Sequence, residues 1–106
     1  MIQIAQTRLH ELLRGMNGKR IAVIGDLMLD RYIWGMVNRI SPEAPVPVIE
    51  MEKEQARLGG AANVAQNIKS LGGEPFLVGV VGSDNSGNQL FDIIRENGFS
   101  REGIVV

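Results

Sequence analysis

Two short apolar runs, Ile21–Ile24 and Phe76–Val81, each followed at once by a glycine, constrain this chain more than any other feature. Runs of this length, rich in β-branched residues, read as strands covered on both faces in a parallel sheet. Parallel neighbours cannot be joined by a tight turn, so a crossover must lie between them. The sequence supplies one: Ala61, Val64, Ala65, Ile68 and Leu71 recur at helical spacing and stop at Gly72 and Gly73, whose tolerance of positive φ suits a helix C-cap. A polar turn, Gly82–Ser86, then leads to a second helical stripe of Leu90, Phe91 and Ile94, closed by Asn97 and Gly98, before Ile104–Val106 begin another strand. Ahead of all this, Leu9, Leu12, Leu13 and Met16 predict a short amphipathic helix that packs on the sheet. Strands alternating with helices imply right-handed crossovers and a doubly wound, mostly parallel α/β sheet. A compact domain rarely stops inside a strand, so further sheet is expected after Val106.

The stretch between the first strand and the first crossover helix has a different texture. Tyr32, Trp34 and Met36 alternate with other residues, and Pro42, Pro45 and Pro47 argue against a central strand. In Val46–Glu54, Ile49 and Met51 alternate with Glu50, Glu52 and Glu54, leaving one face apolar and one solvated. Residues 31–54 therefore read as a two-stranded β flap outside the main sheet.

Composition narrows the function. A formal charge of −1 carries no basic excess, which argues against a broad surface for nucleic acid or an anionic membrane. The absence of cysteine excludes disulfides, thiolate metal sites and a thiol nucleophile, and fits a reducing compartment; the N-terminal residues mix Arg8, His10, Glu11 and Arg14 with apolar ones and lack the unbroken stretch of an export signal. A cytoplasmic protein with a small-molecule ligand is the expectation.

Two clusters could hold that ligand. Gly59-Gly60-Ala61-Ala62-Asn63 opens a helix, where residues without Cβ let backbone N–H groups approach hydroxyl or anionic oxygens, and Asn63 adds a donor and an acceptor. A glycine pair also serves as a plain flexible entry to a helix. Asp26 and Asp30 follow the first strand at its carboxyl end, where open α/β sheets bind ligands. They can accept from sugar hydroxyls or merely cap a turn. Known nucleotide loops fail: Gly18-Lys19 has Leu13 and Arg20 where a Walker A loop needs Gly and Ser or Thr, and the glycine pair lacks the spacing of a dinucleotide fingerprint. Asp84, in Gly82-Ser83-Asp84-Asn85-Ser86-Gly87, reads as a turn and helix cap rather than a metal loop, and His10 has no partner ligand, so no metal site is expected.

The spaced pattern Gly59-Gly60-Ala61-Ala62-Asn63-Val64-Ala65, then Gly72 and Gly82, resembles the first signature of the ribokinase/phosphofructokinase-B sugar kinase family, over Ile21 to Val106. Within it, Gly25–Tyr32 and Arg39–Pro47 look most like bacterial D-glycero-D-manno-heptose 7-phosphate kinases. The resemblance implies a ribokinase-like fold in which residues 1–106 are the N-terminal part of one kinase domain and the flap is a lid over the sugar. It implies transfer from ATP, with Mg2+, to O1 of the heptose phosphate, giving the 1,7-bisphosphate on the route to ADP-heptose and lipopolysaccharide core; in some relatives a nucleotidyltransferase domain follows. Asp30 matches the family's sugar-binding aspartate, Gly59, Gly60 and Asn63 match its sugar-contacting helix entry, and Asp26 matches less well. Met28 stands where ribokinase carries a sugar-binding asparagine, which argues against ribose.

The family's second signature, with its anion hole and catalytic aspartate, does not occur in the sequence. The base is expected downstream of Val106, and the segment alone is expected to be inactive. A phosphorylated sugar calls for a cation, and Arg31, Arg39 and Arg57 all lie on or beside the flap; Arg39 is the first candidate, each of the three reads equally as a solvated or inter-subunit pair, and the phosphate ligand stays open among them. Tyr32, Trp34 and Met36 can stack on a sugar, but an alternating aromatic strand more often marks packing or a subunit interface; a homodimer through the flap, which would also cover exposed strand edges, is the expectation. The alternatives are a noncatalytic sugar-binding or dimerisation module, and a kinase of the same family for another sugar.

Overall fold

A computed structural model describes residues 2–106. The elements run α1 (Gln6–Met16), β1 (Arg20–Ile24), β2 (Leu27–Ile40), β3 (Pro47–Gly59), α2 (Gly60–Ser70), β4 (Glu74–Val80), α3 (Asn85–Glu96) and β5 (Ile104–Val105). β1, β4 and β5 form a parallel sheet in the order β1-β4-β5, and β2 and β3 form a separate antiparallel pair. The architecture is therefore α/β, with a mostly parallel main sheet and a long hairpin standing outside it.

Helix ends follow the glycine signals closely. After α2, Gly72 takes φ +88°, its N–H donates to the Lys69 carbonyl, and the Gly73 N–H donates to the Ile68 carbonyl at 3.0 Å. That pair of bonds is the Schellman closure, which requires a left-handed residue after the helix. α3 closes in the same way through Gly98 at φ +73°, with Phe99 N–H donating to the Ile94 carbonyl at 3.1 Å. Its start is capped by Asp84, whose carboxylate accepts from Gly87 N–H at 2.7 Å.

The core lies on one side of the sheet. Val23 of β1 and Leu77 of β4 are register partners, and they pack with Ala62 and Ala65 of α2, Leu90 and Ile94 of α3, Leu58 of β3, Val81 and Phe99. Two buried alanines let α2 lie close to the strands. The opposite side is bare: Ile24, Val80 and Val105 are 77%, 74% and 64% exposed. This corrects the expectation that Ile21–Ile24 is covered on both faces, since of those four only Val23 is buried. The helices of this chain that reach the core lie against one face.

Two further expectations change. α1 buries none of its residues; its C-terminal end meets Ile21, Ile68 and Leu71 around an apolar crevice, but its apolar stripe does not cover the sheet. The hairpin spans Leu27–Gly59, longer at both ends than the 31–54 flap. β2 starts only two residues after β1, because Gly25 and Asp26 turn the chain directly into it. Register shifts fall between Trp34 and Gly35 and between Val37 and Arg39, local irregularities that twist such a ribbon.

Candidate functional site

The chain crossing at the hairpin base is built from backbone. The Asp26 carbonyl accepts from Ala61 N–H at 2.8 Å, fastening the exit from β1 to the first turn of α2. Gly60 takes φ +55° there, and a methyl group on it would stand 2.4 Å from that same carbonyl oxygen. A side chain is thus excluded by both conformation and space. Gly60 and Asp26 make the junction itself; the exposed Asp26 side chain does not line the neighbouring pocket.

Asp30 sits four residues into the hairpin, not at the end of β1. The register sets Met28 opposite Gly59 and Asp30 opposite Arg57. A methyl group on Gly59 would lie 2.6 Å from the Asp30 carboxylate, so the missing side chain of Gly59 is the space that carboxylate occupies. Gly59 is also the N-cap residue of α2 and offers no capping side chain. The Asp30 carboxylate therefore lies where the hairpin meets the start of α2.

Around it is a pocket of about 510 Å³ lined by Asp30, Tyr32 and Arg57 of the hairpin, Asn63 and Gln66 of α2, and Asn97 after α3. Its walls are held by short-range polar contacts. Arg57 donates to Gln55 Oε1 at 3.1 Å and lies 5.1 Å from the Tyr32 ring centre. Tyr32 stacks on Trp34 at 5.9 Å, and Lys53 lies 5.4 Å from the Trp34 ring. Gln66 Nε2 donates to Asn97 Oδ1 at 3.4 Å, and Asn97 Nδ2 to the Ile93 carbonyl at 2.9 Å. Among the described residues, no ion pair engages Asp30 or Arg57. A carboxylate, a guanidinium and several amides in one small pocket can exchange hydrogen bonds with a polyhydroxylated ligand, the charged groups making the stronger ones.

Of the residues expected from sequence, the fold brings Asp30, Gly59 and Asn63 together and sets Gly60 and Asp26 at the adjoining junction. It does not bring Arg39. That residue pairs with Val48 near the hairpin tip, nine strand positions beyond Asp30 and so on the order of 30 Å away. Arg57, one of the three candidate arginines, and Tyr32 line the pocket, together with Gln66 and Asn97, which the sequence does not single out as ligands. The signal for Arg57 was the cross-strand register; Gln66 and Asn97 carry none that is local.

Among the described residues there is no group of three His, Cys, Asp or Glu side chains able to hold a metal ion. The described residues do not fit a Mg2+ site. Nor is any helix among the described residues long and apolar enough to cross a membrane.

Comparison with known proteins adds four findings. Residues 18–105 match the family described as pfkB family carbohydrate kinase. The chain is 50% identical over 97 residues to "Bifunctional protein HldE" of Magnetococcus marinus, an alignment covering 92% of this chain and 20% of that protein. Among solved structures, a fructokinase with bound ATP from Xylella fastidiosa superposes with a TM-score of 0.56 at 31% identity, over 81% of this chain and 23% of that one. A putative ribokinase from Agrobacterium tumefaciens superposes with a TM-score of 0.63 at 23% identity, over 85% and 28%, a likeness of fold. The chain thus spans about a fifth of the length of the curated relatives it matches.

Proposed function

Because the chain belongs to the pfkB family of carbohydrate kinases, we propose that it forms the sugar-binding part of an ATP-dependent kinase domain, with the hairpin as lid. The observation that carries this reading is the seating of the Asp30 carboxylate over Gly59, beside Asn63, in a polar pocket. A carboxylate there can accept from two sugar hydroxyls, while Asn63 accepts and donates at the next position. Fixing the ring in this way lowers the entropy cost of transfer. ATP as the phosphoryl donor is supported by the bound ATP of the Xylella fructokinase, and Mg2+, the usual companion of ATP in such transfers, would be held by residues other than those described.

The finer reading is a kinase for O1 of D-glycero-D-manno-heptose 7-phosphate, giving the 1,7-bisphosphate for ADP-heptose and lipopolysaccharide core. It rests on the Gly25–Tyr32 and Arg39–Pro47 segments and on the half-identical HldE relative. For the 7-phosphate we favour Arg57 over Arg39, since Arg57 lies in the pocket and is free of carboxylate partners among the described residues. A guanidinium fork matches phosphate oxygens in two bonds.

We further propose a cytoplasmic homodimer through the hairpin. Ile33, Val37, Ile49 and Met51 are each more than half exposed, and all lie on the hairpin. Apolar side chains presented on a free ribbon favour pairing with a second copy.

The test is ADP release by the complete reading frame that carries this chain, with heptose 7-phosphate, ribose, fructose 1-phosphate and fructose 6-phosphate. Turnover with the heptose alone supports the finer reading. Turnover with another sugar keeps the kinase and removes the heptose. Sugar binding without turnover points to a noncatalytic module.

A further inference from the structure

We propose that Arg31 is a positioning residue: it ties the base of the hairpin to α3 and thereby sets where Asp30 stands over the pocket. This rests on the sugar-site reading above. The hairpin strands, 14 and 13 residues long, pair with each other and project from the body, so their angle is set at the base. Beside the Leu27–Gly60 bridge, three contacts there bear on that angle. The Ala61 to Asp26 backbone bond fixes the crossing point. Leu58, buried, and Leu29, packed against the core, form an apolar pivot, which is non-directional and permits tilt.

The third contact is directional. The Arg31 Nη2 donates to Ser86 Oγ at 3.1 Å and to Gln89 Oε1 at 3.3 Å on α3, while Nη1 lies 3.6 Å from Glu54 Oε1 on the paired strand. One planar guanidinium thus joins β2, β3 and α3. Successive strand residues point to opposite faces, so the residue that reaches α3 is the immediate neighbour of the one that lines the pocket. A tilt that breaks the Arg31 contacts moves Asp30 relative to Asn63. The Arg31 and Glu54 side chains are 45% and 42% exposed, so the tie contributes little to overall stability and acts on orientation.

The test is hydrogen–deuterium exchange, read by mass spectrometry on hairpin peptides, with sugar KM and kcat measured alongside on the complete reading frame. Arg31→Ala should raise hairpin exchange by about threefold, the change expected for losing an exposed tie. It should raise sugar KM by a similar factor while kcat stays within about twofold. The double variant Ser86→Ala/Gln89→Ala, which leaves Arg31 in place, should reproduce both effects. Arg31→Lys should restore part of each, and Glu54→Gln should produce neither. Unchanged exchange in Arg31→Ala overturns the tie, and raised exchange beside an unchanged KM overturns its role in positioning Asp30. A wild-type protein that turns over no sugar counts against the kinase reading alone, since the exchange comparison needs no substrate.

Discussion

A methyl group added at Gly59 meets a side chain, whereas one added at Gly60 meets backbone, and the two substitutions should separate binding from folding. In Gly59→Ala the Asp30 carboxylate must swing away, which a flexible side chain can do. The expected outcome is a sugar KM raised at least about tenfold, matching the ~1.5–3 kcal/mol of a hydrogen bond to a charged group, with unfolding free energy changed by less than about 1 kcal/mol. In Gly60→Ala the φ of +55° and the 2.4 Å approach to the Asp26 oxygen cannot be relieved locally. A loss of ~1–3 kcal/mol in denaturant unfolding is expected there, typical of a strained backbone position. Sequence spacing marked both glycines but could not assign these different roles, which depend on which atoms the fold brings against each one.

At the scale of elements, the helices and main strands were legible because period and punctuation agree. α2 and α3 each end in a glycine at positive φ, at the stops their sequences announce. The hairpin was legible as a ribbon but not in its bounds or register. Leu27, Met28 and Leu29 are as apolar as a loop between strand and lid could be, and two register shifts break the simple alternation. Pairing Asp30 with Arg57 across the strands therefore lies beyond what local pattern reveals. Asn97 reaches the pocket only because α3 ends beside α2, a tertiary fact. The exposed stacked pair Tyr32 and Trp34 bears on association. Trp34→Ala should weaken dimerisation by about tenfold or more in sedimentation equilibrium, as expected for removing an aromatic anchor from an interface; an unchanged dissociation constant would place the interface elsewhere.

At the scale of the molecule, one face of the sheet carries helices and the other presents Ile24, Phe76, Val80 and Val105 to solvent. An apolar face of this kind binds hydrophobic dyes and promotes association. The 106-residue chain expressed alone should bind anilinonaphthalene sulfonate and show no ATP turnover, while the complete reading frame should bind far less dye. Equal dye binding would mean that this face stays open in the whole protein. Bareness on this side could not be read from sequence, because Ile21–Ile24 has the composition of a strand buried on both faces, and composition does not say which chain segment supplies the cover.

The measurement that tests the central claim most directly is calorimetric titration of heptose 7-phosphate, without nucleotide, into the complete protein and its Asp30→Ala variant. Asp30 at the hairpin base predicts a dissociation constant at least about tenfold weaker in the variant, with unchanged thermal unfolding. Equal affinity in the two proteins would contradict it and remove the pocket beside Gly59 and Asn63 as the sugar site.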